Sequence, residues 1–290
     1  MNLVKTYRNI LQEGLGSIKV YDFSQANINY NSRVKAITDV ASVCFGKDEA
    51  KKPEALYQRL IKESMGLPSS SFEFVPILIS EEKYIDLLEP LFENELEEGE
   101  YYEDFWRFSD GIKVNDKRYI LTNLRNCLNI FPDDIVNQLF NNTEEEINII
   151  KDNYFVFKIE CDIVTARQWV RHRIFGSYNE KSRRYTKDLP QIYTPVELSK
   201  TMVEDVFGNF QDVENYIQLS LKMYEKALTQ TSAQNARYLL PLGLMTTFWV
   251  GGTKRYWEHF IKLRTDKHSQ REIRAYAEVI KNELKGVLNG

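Results

Sequence analysis

Cationic side chains are concentrated in residues 171–185, which read RHRIFGSYNEKSRRY. They are Arg171, His172, Arg173, Lys181, Arg183 and Arg184. The chain as a whole is slightly acidic, with 38 Lys and Arg against 42 Asp and Glu, so the concentration is local. A guanidinium offers a planar fork of donors that matches phosphate oxygens, and the Ser182 hydroxyl adds another donor. The segment is suited to a small anionic ligand, with an exposed basic turn paired to acidic residues elsewhere as the open alternative.

A second group of cations lies in LRTDKHSQREIR, residues 263–274. Its members recur at spacings of three or four residues and are Arg264, Lys267, His268 and Arg271. This spacing predicts a shared helical face. Arg255 and His259 are one turn apart on the preceding predicted helix. All three histidines of the chain therefore accompany clustered cations, which favours a functional role although a single histidine is usually structural.

Several chemistries lack their sequence motifs. There is no GxxxxGKS loop, no GxGxxG before a helix, and no HExxH or paired-cysteine motif that would predict a metal site. The three widely spaced cysteines fit no disulfide framework, and Cys161 has no adjacent histidine that would activate a thiolate. We therefore expect Cys161 to be a buried structural thiol and the chain to reside in a reducing cytoplasm.

Charge and hydropathy exclude further classes of partner. The formal net charge of −4 gives no general reason to bind nucleic acid, although aromatics near the cations leave single-strand binding as a weaker alternative. No apolar run approaches the roughly 20 residues that a membrane span needs, and the N-terminus lacks the apolar core of a signal peptide. We expect neither a nucleic acid nor a membrane as a partner.

The elements that must position these residues alternate between helices and strands. Helices are predicted at 31–45, 53–66, 134–141, 163–173, 212–230, 254–264 and 269–287, and strands at about 75–80, 154–159 and 245–250. We expect Asp162 to cap the helix that begins at residue 163, residues 176–179 to form a loop, and Gly251-Gly252 to form a turn. Lys158 is expected to be the one exposed residue of a buried strand. We expect one α/β domain over residues 1–290 with an insertion at about 80–153, whose acidic run 93–104 is a solvated surface.

The motifs ARQWVRHR, SYNEKSRRY, NARYLLPL and HFIKLRTDKHSQREI occur in the order and at roughly the spacing of one family. Together with a weaker match at 34–78, they resemble the flavin-dependent thymidylate synthases. The resemblance implies an α/β (mixed α+β) subunit, with a central, mostly antiparallel sheet flanked by helices. It also implies a homotetramer with active sites at subunit interfaces.

The resemblance further implies methylation of dUMP to dTMP without a cysteine nucleophile. FAD would be the cofactor, with NADPH and methylenetetrahydrofolate as co-substrates. Arg264 would be catalytic and lie against the pyrimidine, while Ser182 and Arg184 would hold the phosphate. The residues implied for dUMP are Gln168, Glu180, Ser182, Arg183, Arg184, Arg237 and Arg264. Those implied for FAD are Ser70, Glu73, Arg171, His172, Arg173, Arg255 and His259.

The chain departs from the family pattern at four points. Eight residues separate RHR from Ser182, whereas the family has seven, and Gly176 is the candidate extra residue. The stretch PSSSFEF replaces an element that carries histidines in the family, and Thr253 replaces an asparagine. Residues 80–153 correspond to an insertion. We therefore keep open a related flavin- or folate-dependent modification, such as hydroxymethylation of a pyrimidine nucleotide, and a non-catalytic nucleotide-binding relative. A structural subunit assembled through the insertion is a further alternative.

Overall fold

The computed structural model describes residues 1–62, 68–94, 105–106, 109–172, 176–204 and 209–288. The strands of this part are β1 (Asn2–Arg8), β2 (Ser17–Asp22), β3 (Pro76–Ser80), β4 (Asp110–Val114), β5 (Lys117–Asn123), β6 (Tyr154–Asp162), β7 (Gly176–Glu180), β8 (Met202–Glu204), β9 (Phe210–Asp212) and β10 (Met245–Thr253). Five of them form one sheet in the order β1-β2-β6-β10-β7, with every neighbouring pair antiparallel. A second sheet has the order β3-β5-β4.

The α-helices of the described residues lie on both faces of the larger sheet. They are α1 (Tyr30–Ser42), α2 (Pro53–Lys62), α3 (Glu81–Lys83), α4 (Glu89–Asn94), α5 (Leu124–Ile130), α6 (Asp133–Leu139), α7 (Glu144–Asn153), α8 (Ile163–Trp169), α9 (Val196–Ser199), α10 (Val213–Leu228), α11 (Ala233–Ala236), α12 (Lys254–Arg264) and α13 (Arg271–Leu288). The predicted mixed α/β architecture, with a central antiparallel sheet flanked by helices, is confirmed.

Helix α13 shows how sequence periodicity creates the core on one face of the sheet. Its buried apolar residues recur at spacings of three or four positions and are Ile273, Tyr276, Ala277, Ile280 and Leu284. This apolar stripe packs with Trp169 of α8 and with Trp257 and Phe260 of α12 against the apolar face of β6 and β10. Helix α8, which carries Gln168, and helix α12, which carries Arg255, His259 and Arg264, are therefore fixed together with α13 to a common core.

The opposite face of the sheet is covered by α1, α2 and residues of the predicted insertion. Val40 of α1 and Trp249 of β10 share one buried cluster with Leu124, Cys127 and Leu139, all from within residues 80–153. The insertion also supplies β5, which pairs with β3. Residues of the predicted insertion thus take part in the core on this face of the sheet. The acidic run 93–104 and the end of the helix predicted at 53–66 lie largely outside the described residues.

Polar caps determine where the site helices begin, as expected at Asp162. Its carboxylate accepts a hydrogen bond from the Thr165 amide at 2.9 Å and caps α8. The hydroxyl of Thr253 accepts from the Tyr256 amide at 3.4 Å and caps α12. These two caps fix the starts of the helices that end at the predicted site.

Two predictions for the segment after α8 were wrong. The helix predicted to reach residue 173 ends at Trp169, because the His172 amide bonds the Trp169 carbonyl at 3.0 Å and closes a tighter turn. Residues 176–179, predicted as a loop, belong to β7, where Gly176 pairs with Gly252 of β10 in regular register. Their backbone amides are therefore not a free loop for anion binding.

Two further details also differ from prediction. Gly251 and Gly252 continue strand β10 and form no turn. A Cβ atom on Gly252 or on Gly176 would come within 2.6 Å of the Tyr256 ring, so these two glycines permit close packing of that ring against the sheet. Lys158 is buried, because it pairs with Asp48 and its Nζ lies 5.2 Å from the centre of the Trp249 ring.

The cations of residues 264–271 do not share one helical face. Helix α12 ends at Arg264, and Asp266 forms a turn in which its carboxylate accepts from the His268 amide at 2.8 Å. Helix α13 then begins anew at Arg271. The competing turn chemistry of aspartate therefore overrides the helical spacing of the cations.

Candidate active site

A direct hydrogen bond joins the two cation-rich segments. The guanidinium Nε of Arg264, the last residue of α12, donates to Nε2 of His172 at 2.8 Å. A terminal nitrogen of the same guanidinium donates to the backbone carbonyl of Gln168 at 3.3 Å. The Gln168 side chain in turn donates to Gln270, just before α13, at 2.5 Å. Arg264 is thus held at two points by residues of α8 and the turn that follows it.

His172 is buried and electrically neutral. Its burial, together with the positive charge of Arg264 and the nearby His259, lowers its pKa from 6.5 to about 4. Because Nε2 accepts the hydrogen bond from Arg264, the single ring proton belongs on Nδ1. The imidazole therefore orients the guanidinium without adding a charge to the site.

Like charges are gathered around this contact. Arg171 is exposed, and its charge contributes, after burial, to lowering the pKa of Arg264. The ring of His259, an exposed residue of α12, lies 5.9 Å from that of His172. Arg255, also exposed, is one helical turn before His259. Cations that repel one another at a surface are suited to an anionic ligand, because its charge relieves the repulsion.

A pair of phenols lies near Arg264. The hydroxyls of Tyr178 on β7 and Tyr256 on α12 are hydrogen bonded to each other, and the Tyr178 hydroxyl donates to the Trp169 carbonyl at 2.7 Å. Since Tyr178 gives its proton to that carbonyl, Tyr256 is the donor within the pair. Burial raises the pKa of both phenols, and the charge of Arg264 partly opposes this rise. Both phenols therefore stay protonated, and the hydrogen bond from Tyr178 to the Trp169 carbonyl stabilises the end of α8.

The end of β7 presents Glu180. One of its carboxylate oxygens accepts from the hydroxyl of Thr246 on β10 at 2.8 Å. Burial of the carboxyl raises its pKa, whereas the Thr246 hydrogen bond and Arg167 lower it. The residue is exposed overall, so water also solvates its carboxylate. The carboxylate of Glu180 is therefore accessible, and its role as an acceptor for a ligand stays a prediction.

The predicted phosphate corner follows β7 directly. Its backbone is anchored by the Ser182 amide, which donates to the Cys44 carbonyl at 3.1 Å, while the Ser182 hydroxyl accepts from the Arg184 amide at 3.3 Å. Arg183 is engaged by Asp188, whose backbone oxygen and carboxylate lie 2.8 and 3.3 Å from its guanidinium. Arg184 is exposed, with its guanidinium 5.3 Å from the centre of the Tyr185 ring. Of these two arginines, Arg184 is the better placed to reach a ligand.

The remaining predicted residues lie in other parts of the fold. Arg237 begins the 3-10 turn Arg237–Leu239 before β10 and is half-buried, with its guanidinium 5.8 Å from the centre of the Tyr238 ring. Ser70 and Glu73 lie in the 3-10 segment Ser70–Phe74. Arg173 lies outside the described residues. One chain thus brings together Gln168, Arg171, His172, His259 and Arg264, and holds the other predicted residues in separate groups.

Sequence reasoning missed several partners of the predicted residues. Two come from the insertion: Arg125 of α5 pairs with the Glu73 carboxylate, and Asp110 of β4 bonds Thr253 and Arg255. Their positions in an unfamiliar segment gave no signal. Thr246 and the Tyr178–Tyr256 pair were also missed, because their contacts depend on the pairing of β7 with β10 and on the packing of α12 against β7.

Two further features concern the part of the chain that the structure describes. In that part of the chain, no three His, Cys, Asp or Glu side chains cluster so as to hold a metal ion. None of its helices is long and apolar enough to cross a membrane.

Comparisons with known proteins agree with the resemblance of the motifs. Residues 132–288 match the family described as thymidylate synthase complementing protein. Among similar proteins is a flavin-dependent thymidylate synthase of Aquifex aeolicus (strain VF5), 35% identical over 142 residues, which are 44% of this chain and 44% of that protein. One of Thermosipho melanesiensis is 38% identical over 136 residues, or 42% of this chain and 59% of that protein.

A solved structure is also similar in part. The UMP/dUMP methylase PolB from Streptomyces cacaoi, bound with 5-Br dUMP, is 23% identical, with a TM-score of 0.38 over 46% of this chain and 66% of that chain. The aligned part of this chain spans about half the length of the curated relatives it matches. Because the family match covers more than half of the chain and includes both cation-rich segments, the chain belongs to the thymidylate synthase complementing protein family.

Proposed function

We propose that this chain catalyses the flavin-dependent methylation of dUMP to dTMP, with methylenetetrahydrofolate as carbon donor and NADPH as reductant. The observation that carries the proposal is the fixed guanidinium of Arg264, held by the neutral His172 and the Gln168 carbonyl between the two motifs that define the resemblance. Relatives named flavin-dependent thymidylate synthase support it.

In this proposal Arg264 is the catalytic residue and lies against the pyrimidine of dUMP. A uracil ring becomes nucleophilic at C5 when negative charge that develops on its edge is stabilised. A guanidinium supplies that stabilisation at constant charge, and the contacts to His172 and Gln168 keep it oriented before the substrate arrives. His172 is suited to this role because a neutral acceptor does not cancel the charge of Arg264.

The substrate would be held by the groups around β7. Ser182 and Arg184 would bind the phosphate. At the base and sugar, the Glu180 carboxylate would accept hydrogen bonds, and the Gln168 amide would accept or donate them. Arg183 and Arg237 would complete the charge around dUMP. Arg183, engaged by Asp188, would contribute mainly by ordering the corner.

The residues present fit the FAD that the family name implies. Arg171, Arg255 and His259 expose their side chains near the His172–Arg264 contact, and the positive charge of Arg171 contributes to lowering the pKa of Arg264. They would hold the diphosphate, together with His172, Arg173, Ser70 and Glu73. When bound, flavin supplies the hydride chemistry, while the chain contributes binding and orientation.

A cysteine nucleophile has no place in this proposal. Burial raises the pKa of the thiols of Cys127 and Cys161, and both are fully buried. Cys44 is half-buried, its pKa is also raised by burial, and its thiol donates to Asn179. All three cysteines are free, which supports the proposal of a reducing cytoplasm.

We also propose one domain over residues 1–290 and a homotetramer with active sites between subunits. The core shared by α1, β10 and the insertion supports the single domain. The separation of the predicted site residues within one chain supports sites completed by a neighbouring subunit. Tyr216, Leu219 and Met223, one to two turns apart on α10, are each about half exposed and offer an apolar surface for assembly. Light scattering on the purified protein would give the oligomeric state.

A second candidate is a related modification of a pyrimidine nucleotide, such as hydroxymethylation. It is favoured by the altered surroundings of Thr253 and Glu73, both of which contact insertion residues.

The test of both candidates is a visible absorption titration with FAD and then dUMP, followed by mass analysis of the nucleotide formed with methylenetetrahydrofolate and NADPH. A flavin spectrum that shifts with dUMP, and a product of the mass of dTMP, would support the first proposal. A hydroxymethylated product would support the second, and dUMP binding without flavin binding would leave a nucleotide-binding relative.

A further inference from the structure

A buried carboxylate from the insertion lies at the start of α12. Asp110, the first residue of β4, is 5% exposed. One oxygen of its carboxylate accepts from the Thr253 hydroxyl at 3.0 Å, and the other lies 3.6 Å from a guanidinium nitrogen of Arg255. Thr253 is the residue that caps α12. One side chain of the insertion thus contacts both the cap of this helix and a cation of its first turn.

The two partners of this ion pair differ greatly in freedom. The side chain of Arg255 is 68% exposed, whereas that of Asp110 is 6% exposed. A short, buried aspartate on a strand is nearly fixed, while a long, exposed arginine loses rotamer freedom when it is held. The ion pair therefore restricts the guanidinium before any ligand binds, and leaves most of its surface accessible.

The position of the carboxylate is favourable for the helix as well. The first amides of a helix carry partial positive charge, which an aspartate nearby stabilises. The Thr253 hydroxyl donates to Asp110 and accepts from the Tyr256 amide, so the three groups form a chain of hydrogen bonds. The insertion thereby orders the first turn of α12, in which Arg255 lies.

We propose that Asp110 is a positioning residue of the predicted flavin site, acting through Arg255 and Thr253. This inference rests on the proposed function, in which Arg255 binds FAD. It gives the insertion a role at the site, because the insertion residue Asp110 accepts a hydrogen bond from Thr253. Thr253 is the residue that replaces the asparagine of the family pattern. A second contact of the same kind joins Arg125 of the insertion to Glu73.

The test is a double-mutant cycle on FAD affinity. The variants are Asp110→Asn, Arg255→Gln and the double variant, with Asp116→Asn as the matched control. Asp116 is in the same hairpin, has a 95% exposed side chain and pairs with Lys113, three positions before it, at 2.8 Å. We expect D110N to weaken FAD binding about tenfold when Arg255 is present and less than twofold in the R255Q background. D116N should leave the affinity unchanged.

Three results would overturn the inference: unchanged FAD affinity in D110N, tighter binding, or an equal loss in both backgrounds. Should D110N fail to fold, Asp110→Glu keeps the charge, displaces it by one methylene and is run through the same cycle. If the unmodified protein binds no FAD, the proposed function fails. Hydrogen exchange then still tests the positioning: in flavin-free protein the Tyr256 amide should exchange faster in D110N than in D116N. Equal exchange would contradict an ordering role for Asp110.

Discussion

The guanidinium of Arg264 and the imidazole of His172 form one functional unit, with a donor-to-acceptor distance of 2.8 Å between residues 92 positions apart. Their charges are matched to this contact: the arginine is always cationic and donates, whereas the buried histidine is neutral and accepts. A protonated His172 could not accept this hydrogen bond. The geometry of Arg264 is therefore linked to the protonation state of its neighbour.

Replacing Arg264 should impair turnover far more than flavin binding. Arg264→Ala removes the stabilising charge beside the pyrimidine, and we expect the rate of dTMP formation to fall about 100-fold or more. FAD affinity, measured by absorption titration, should change less than about threefold. Arg264→Lys keeps the charge but loses the fork held by His172 and Gln168, so its activity should be intermediate. Lys262→Ala, at an exposed position of the same helix, is the control; a comparable loss there would contradict the assignment.

The lowered pKa of His172 predicts an acid-sensitive stability. Its pKa is about 4 in the folded protein and near 6.5 when unfolded, so the unfolded state binds the proton more readily. Stability should be constant above about pH 6.5 and fall as the pH decreases from 6.5 to 4, by up to about 3 kcal/mol. Urea unfolding of the unmodified protein and of His172→Gln over this range measures the effect. The variant should lose this part of the pH dependence; identical profiles would show that His172 is not its source.

The two arginines of the phosphate corner should differ in their effect on dUMP. Arg184→Ala should weaken dUMP binding by about 1.5–3 kcal/mol, because it removes a charge-assisted contact. Arg183→Ala should cost less than about 1 kcal/mol, since Arg183 is paired with Asp188. Calorimetric titration with dUMP measures both losses. Deoxyuridine, which differs from dUMP only by lacking the phosphate, should bind equally to R184A and to the unmodified protein. Equal dUMP affinity in R184A and the unmodified protein would refute the assigned corner.

The Glu73–Arg125 pair predicts a charge-dependent stability at the edge of the insertion. Burial raises the pKa of Glu73, and Arg125 opposes that rise. Arg125→Gln should therefore raise the pKa of Glu73 further and destabilise the protein by about 1–3 kcal/mol at pH 7, where the carboxylate is charged. Below the unfolded pKa of about 4.5 the carboxyl is protonated in both states, so this cost should disappear.

Glu73→Gln supplies the control for that experiment. In the E73Q background, R125Q should lower the free energy of unfolding by less at pH 7, because no uncompensated carboxylate remains. Chemical unfolding at pH 4 and pH 7 gives the comparison. A loss in R125Q that is the same at both pH values would indicate that Arg125 contributes through packing and its bond to the Pro68 carbonyl.

The close contact between β7 and α12 should make Gly176 intolerant of a side chain. A Cβ there would come within 2.5 Å of the buried Tyr256 ring and 3.2 Å of the His172 carbonyl. Gly176→Ala should destabilise the protein by about 1–3 kcal/mol. Gly111→Ala is the matched control, because nothing lies within 4 Å of its Cβ position. Equal unfolding free energies for the two variants would show that the Tyr256 ring can move aside at little cost.

The local pattern of the chain correctly predicted the elements whose stabilisation is itself local. Helix α12 over residues 254–264 and the capping of α8 by Asp162 follow from spacing and from the type of the capping residue. The segment 171–185 showed its cations directly. Helix spacing failed at residues 264–271 because a turn stabilised by the Asp266 side chain competes with the helix.

Residue types and the order of the motifs were therefore sufficient to predict the family, the antiparallel α/β class, and which residues supply charge to the predicted site. Which of these residues meet depends on tertiary packing. Whether Gly176 is part of a loop or of an edge strand depends on pairing with β10, and whether Lys158 is exposed depends on Asp48, 110 positions away. The contact of Asp110 with Thr253 spans 143 positions. Periodicity reports only neighbours within a turn or along a strand, whereas these contacts depend on the order of strands in the sheets and on the packing of helices over them.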